Sequence, residues 1–136
     1  MLPNNLVKLA EAAREMSYSP YSGFRVGAAL LGASGRVYTG CNIENAAFSP
    51  TNCAERTAFF KAISEGEREF LAIAVAGGRE KEVSEPCTPC GVCRQVMAEF
   101  CDPSTFLIYV SRGSGEFDTY TLRELLPLGF GKADLK

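Results

Sequence analysis

Apolar positions recur along this chain with two spacings, and the switches between them sketch its elements. Leu6, Leu9, Ala10, Ala13 and Met16 return at helical steps, predicting a helix that Asn4 or Asn5 can cap and that ends before Pro20. Phe24 to Leu31 is a nearly continuous apolar run bounded by Gly23 and Gly32, and reads as a buried strand. Residues 33–36 then turn the chain into a second strand, Val37 to Ile43, so the two form a hairpin. A polar, irregular stretch follows to Asn52. Helical spacing resumes from Cys53 through Ala54, Ala58, Phe59, Ala62 and Ile63, and stops at Gly66. Leu71 to Ala76 is a short apolar strand, and residues 77–89 are a loop. Cys90 to Phe100 is helical, with Val92, Val96 and Phe100 along one side. Two more strands, Thr105 to Val110 and Phe117 to Thr121, flank a turn at Gly113 to Gly115. Thr121 or its neighbour caps a brief helix, Leu122 to Leu126, and a mobile tail is expected beyond Gly131.

The order α-β-β-α-β-α-β-β-α places the chain in the α/β class. Its strand-helix-strand crossovers call for parallel neighbours, and hence for a mixed sheet between layers of helices. At 136 residues, with no internal repeat and no linker, it reads as one domain spanning 1–136. A chain of this size buries roughly 65–70% of its unfolded surface, so it needs neither disulfides nor a metal merely to fold.

Composition sharpens the chemistry. The chain has six cysteines and no histidine. That excludes a Ser-His-Asp triad, a Cys-His dyad, an imidazole base and an imidazole metal ligand. The formal charge is −2 and no basic block occurs. Nucleic-acid affinity rests on lysine and arginine at phosphates, so a polyanion is not the expected partner and a small neutral ligand is. The first residues lack a secretory pattern and no apolar run approaches the ~18 residues of a membrane span, so a cytosolic protein is expected. There, clustered thiols serve metals or catalysis rather than disulfides.

Cys53 opens one helix as Cys53-Ala-Glu55-Arg56, and Cys90 opens another as Pro89-Cys90-Gly-Val-Cys93-Arg94. Residues i and i+3 of a first helical turn share a face, so Cys90 and Cys93 can share an ion. A third thiolate from Cys53 leaves the fourth tetrahedral position open, as in catalytic rather than structural zinc sites. Pro86-Cys87-Thr-Pro-Cys90 also matches the Pro-Cys-x-x-Cys spacing. The pair Cys90 and Cys93 is preferred, because Pro89 suits the start of a helix and not the interior of a chelate loop. An iron–sulfur arrangement over Cys87, Cys90 and Cys93 meets Met97 where a fourth cysteine is expected. A four-cysteine structural zinc that includes Cys87 remains an alternative. Helix N-termini favour thiolates at these places. Three thiolates overcompensate a Zn²⁺ charge, and Arg56 and Arg94 are candidates to donate hydrogen bonds to the sulfurs. Glu55, two residues from Cys53, can move a proton between a metal-activated water and a substrate nitrogen. Cys41, Cys87 and Cys101 are expected to be spectators, the first and last as structural thiols.

At Cys53-Ala-Glu55 together with Pro89-Cys90-Gly-Val-Cys93-Arg94-Gln, the sequence resembles the zinc-dependent nucleoside deaminases, and the cytidine deaminase family in particular. Pro20-Tyr-Ser-Gly-Phe24-Arg-Val-Gly-Ala-Ala, Gly40-Cys-Asn42-Ile-Glu44-Asn-Ala46-Ala, Cys53-Ala-Glu-Arg-Thr-Ala58 and Glu124-Leu-Leu-Pro127 resemble that family in order, across nearly the whole chain. The resemblance implies a three-layer α/β/α sandwich with a mixed five-stranded sheet and one Zn²⁺ per subunit. It implies hydrolytic deamination of cytidine and deoxycytidine to uridine and deoxyuridine plus ammonia, in pyrimidine salvage. Glu55 would carry the proton to N3 and later assist the departure of ammonia. Asn42 and Glu44 would hold the ribose 3′-hydroxyl, the Ala54 backbone and Glu55 would read the base edge, and Phe24 would pack near the ring. The family is typically a homotetramer with shared active sites, which implies roles for Ala46, Phe48 and Phe130 in a neighbour's pocket. Phe48 departs from the tyrosine often found there, and Cys87 with the charged stretch before it falls outside the family pattern. The alternatives are deamination of a nucleoside antibiotic such as blasticidin S, and a non-catalytic zinc-stabilised binding module.

Overall fold

The computed structural model describes residues 1–135. The apolar run predicted after Gly23 is strand β1, Arg25–Gly32, and its hairpin partner is β2, Val37–Cys41, antiparallel with Ala28 opposite Gly40. β3, Phe70–Gly78, lies on the other side of β1, also antiparallel. β4, Leu107–Gly113, runs parallel to β3, and β5, Glu116–Thr121, closes the sheet antiparallel to β4. The order is β2-β1-β3-β4-β5, a mixed five-stranded sheet.

Helices cover both faces, because the inner strands are apolar on both sides. On one face α1, Pro3–Ala13, sets Leu6, Val7 and Ala10 against Ala29, Ala72, Ala74, Ala76 and Tyr109. On the other, α2, Ala54–Ser64, and α3, Gly91–Phe100, pack Ala58, Phe59, Ala62, Cys93 and Met97 on Leu30, Ile73, Val75, Ile108 and Val110. Alternation along β3 explains the division: small alanines face α1 and branched side chains face α2 and α3. The result is the three-layer α/β/α sandwich. Two glycines permit its tightest contacts. A Cβ at Gly27 would lie 2.1 Å from the Ala10 carbonyl oxygen, and one at Gly40 would lie 2.6 Å from the carbonyl oxygen of Ala54. Gly40 therefore lets the first turn of α2 sit directly on β2.

Several local expectations are corrected. The first helix starts at Pro3, with Leu2 as its N-cap residue, so Asn4 and Asn5 lie inside the first turn. Proline is suited to that position because the amide it lacks has no intrahelical partner there. Leu9 and Met16 of the predicted stripe are exposed, and Arg14–Met16 is a 3₁₀ turn. In α3 the buried pair is Cys93 and Met97, while Val92 is exposed and Val96 and Phe100 only flank the core. Thr121 does cap α4, Leu122–Leu125, in a reciprocal arrangement with Glu124. Past Gly131 the chain forms a 3₁₀ turn, Lys132–Leu135, in which the Gly131 amide donates to the Asp134 carboxylate at 2.8 Å.

Candidate metal centre and active site

Cys53 and Cys90 are the N-cap residues of α2 and α3, in extended backbone conformation, and neither side chain caps its helix. Their thiols are thus free to face each other, and Cys93, one turn into α3, joins them. The three sulfurs lie within 4.8 Å of one another, with Cys53 Sγ and Cys90 Sγ 3.7 Å apart. Zn–S bonds of about 2.3 Å in a tetrahedron require sulfurs roughly 3.8 Å apart, so the donor set fits a zinc ion. Cys87 is not part of the cluster. It does, however, line the adjoining cavity, which the expectation of a spectator did not foresee.

The cluster is electrostatically prepared for thiolate. Hydrogen bonding with Cys93 draws the Cys53 thiol down to about 5, with Arg56 and Cys90 contributing in the same sense. Cys93, as the donor of that pair and buried, is shifted up. Arg56 Nη2 donates to Cys53 Sγ at 3.2 Å. Arg94 does not perform the same task. Its Nε donates to the Pro89 carbonyl and its Nη1 to the Leu125 carbonyl, both at 2.7 Å, tying the loop before α3 to the end of α4. Spacing does not separate the two, since Arg56 is three residues from Cys53 and Arg94 four from Cys90; the carbonyls of Pro89 and Leu125 engage Arg94 instead.

Glu55 is 4% exposed, and burial pushes its carboxyl up to about 7, with the nearby Cys53 thiolate adding to the rise. A carboxyl poised near neutrality can both accept and return a proton. It lines a cavity of about 160 Å³ with Val26, Asn42, Ala54, Thr88, Cys53, Cys87 and Cys90, while Cys93 lies buried behind it. Asn42 is held firmly: its Nδ2 donates to the Phe24 carbonyl at 2.8 Å, and its Oδ1 accepts from the Val26 amide at 2.9 Å and from Ser17. Glu44 lines a second cavity of about 290 Å³, which shares Thr51 with the first. Its Oε1 accepts from the amides of Tyr21 and Ser22, its Oε2 accepts from the Ser22 hydroxyl, and these bonds, Ser22's foremost, hold its carboxyl below the usual range.

The other predicted residues do not line the Glu55 cavity within one chain, although Phe48 lines the second cavity with Glu44. Phe24 lines a neighbouring cleft with Arg79, whose guanidinium lies 5.6 Å from the ring centre. Ala46 and Phe48 are on the exposed turn after Glu44, with Phe48 at φ 63°. Phe130 borders a depression of about 400 Å³ formed with Leu122, Leu126 and Leu128. Cys41 donates to the Met16 carbonyl, and burial pushes Cys101 up to about 12.

Sequence reasoning missed Val26, Thr88 and Arg14. Thr88 stands directly before Pro89-Cys90, so the ligand motif itself points to it. Arg14 is 4% exposed and donates to the carbonyls of Arg25, Gly78, Glu80 and Lys81, anchoring the start of the loop that carries Cys87 and Cys90. An arginine at the end of an amphipathic helix carries no sequence signal for such a role.

Three thiols converging from two helix N-termini beside a buried carboxylate define a zinc-site fold of the hydrolytic deaminase class. The chain matches the family model of the cytidine and deoxycytidylate deaminase zinc-binding region over residues 3–109, and it belongs to that family. It is 53% identical over 130 residues to a cytidine deaminase of Sporosarcina psychrophila, covering 96% of this chain and 92% of that one. To the cytidine deaminase of Halalkalibacterium halodurans it is 51% identical, covering 96% and 95%. The crystal structure of cytidine deaminase from Burkholderia pseudomallei superposes with a TM-score of 0.87 at 46% identity, covering 96% of this chain and all of that one.

Proposed function

We propose that this protein is a cytidine deaminase, converting cytidine and deoxycytidine with water to uridine and deoxyuridine and ammonia, as a step of pyrimidine salvage. One observation carries the reading: a buried carboxyl held near neutrality stands beside three converging thiols, and Cys53 and Cys90 of that cluster line its cavity with it. Cys53, Cys90 and Cys93 would hold one Zn²⁺ per subunit, which would supply an acidified water for attack on C4 of the base. Glu55 would take the first proton of that water and deliver it to N3, then take the second proton from the hydroxyl newly bonded to C4 and pass it to the amine, which leaves as ammonia as the C4 carbonyl forms. The Ala54 amide, at the positive end of α2, reads the base edge with Glu55. Arg56 draws negative charge off Cys53. Asn42 keeps its second Nδ2 hydrogen for the ribose 3′-hydroxyl, and Glu44 accepts from the same group.

The domain comprises residues 1–136 and acts as a cytosolic homotetramer on a small nucleoside, with no nucleic-acid or membrane partner. No helix among the described residues is long and apolar enough to cross a membrane, and the charge of −2 gives nucleic acid no purchase. The shared active sites of such a tetramer are supported by Phe48 and Phe130, 75% and 58% exposed on one chain. Together with Ala46 and Phe24 they would complete a neighbour's pocket around base and sugar. The test is zinc analysis together with the loss of cytidine absorbance and the release of ammonia. Glu55→Gln should keep about one zinc per chain and lose turnover by at least ~10²-fold. Full activity in that variant refutes the mechanism, and a comparative assay with blasticidin S discriminates the antibiotic alternative.

A further inference from the structure

Cys87 has no part in the mechanism, yet its side chain lies in the wall of the cavity that holds Glu55. It is outside the three-sulfur cluster. Behind it there is no room. A Cβ built at Gly77 would lie 2.8 Å from Cys87 Sγ, 2.9 Å from its Cβ and 3.0 Å from Cε1 of Phe24. β3 at Gly77 thus backs the thiol directly, with the Phe24 ring crowding the same glycine, so a change of volume at position 87 is passed forward into the cavity. Burial also pushes the thiol up to about 11, which leaves it neutral and effectively apolar at physiological pH.

The reaction fixes which part of a pyrimidine meets it. C4 must face the three thiols and N3 must face Glu55. Cys53, Ala54 and Glu55 all come from the start of α2, so that side of the cavity is committed to C4 and N3. C5 is the other neighbour of C4. It is left to the walls supplied by β1 and by the loop before α3, where Val26 and Cys87 are the apolar groups. We propose that Cys87 sets the space beside C5 of the base and thereby decides whether cytosines substituted at that carbon are accepted. This inference rests on the cytidine-deaminating reading above.

The experiment compares zinc-loaded wild type, Cys87→Ala, Cys87→Ser and Cys87→Val, measuring kcat/KM for cytidine and for 5-methylcytidine with zinc content and thermal melting. One methyl group of room is worth roughly tenfold in an apolar pocket. The ratio of 5-methylcytidine to cytidine should rise about tenfold in Cys87→Ala, fall by a similar factor in Cys87→Val, and stay within about twofold in the nearly isosteric Cys87→Ser. Partial misfolding lowers both substrates together and leaves the ratio intact, so a weakly folding variant still reports. A ratio unchanged in both the alanine and valine variants overturns the proposal. Loss of zinc in Cys87→Ser overturns it differently, by making the thiol a ligand. No turnover of cytidine itself by zinc-loaded wild type removes the reading beneath it.

Discussion

Removing the charge of Glu55 should strengthen the metal-free fold even as it abolishes catalysis. Burial holds this carboxyl at about 7 against an ordinary 4.5. A carboxyl whose folded pKa is raised binds its proton more tightly when folded, so the folded state loses stability as pH climbs. The penalty is absent well below 4.5, grows between 4.5 and 7, and is complete above that window. Linkage makes it about 1 kcal/mol at pH 5 and about 3 kcal/mol at pH 8. Glutamine keeps the shape and cannot ionise. Chelated, reduced Glu55→Gln should therefore exceed wild type by about 2 kcal/mol more at pH 8 than at pH 5, in urea unfolding at equal protein concentration. Any fixed cost of burying the amide is independent of pH and cancels in that comparison. Cys53 titrates in both proteins and cancels to first order. An advantage of the same size at both pH values would show that Glu55 ionises as freely inside as outside, and the argument for a neutral-range proton carrier would fail.

Three further outcomes follow from the geometry. Cys90→Ser should lose most of its zinc while Cys87→Ser retains about one ion per chain, read by metal analysis after gel filtration; the reverse would mean that the chelating pair is the earlier one. Gly27→Ala forces a methyl against the Ala10 carbonyl, 2.1 Å from the ideal Cβ, and should cost roughly 1–3 kcal/mol in chemical denaturation as α1 is displaced from β1. Arg14→Met leaves the carbonyls of Gly78, Glu80 and Lys81 without their donor. It should cost roughly 2–4 kcal/mol and open residues 79–86 to proteolysis, which mass spectrometry of early fragments would reveal.

The helices, strands and their order were legible because each carries its own periodicity, and the hairpin because its turn is local. Two ligands of the proposed centre were legible for the same reason, since Cys90 and Cys93 fall on one turn of one helix. Helix faces were less so. The α3 stripe through Val92 and Phe100 competes with one through Cys93 and Met97, and only docking on β4 and Leu122 selects the second. Arg56 and Arg94 looked equivalent as cations beside cysteines, and only the contacts of the folded chain separated them, Arg56 donating to Cys53 Sγ and Arg94 to the Pro89 and Leu125 carbonyls.

The sequence alone determined which residues can do the chemistry. It has no imidazole, it places thiols at two helix starts, and it sets a glutamate two residues from one of them. Those properties are local and survive any packing. Only the tertiary structure decided that Cys53 and Cys90 meet at 3.7 Å, because that depends on α2 and α3 packing side by side on one face of the sheet. Burial of Glu55, and with it a pKa near 7, likewise comes from neighbours distant in sequence. Cys87 shows the division most sharply. Its spacing suggested a ligand or a bystander, and the close packing of its loop against Gly77 made it part of the cavity wall.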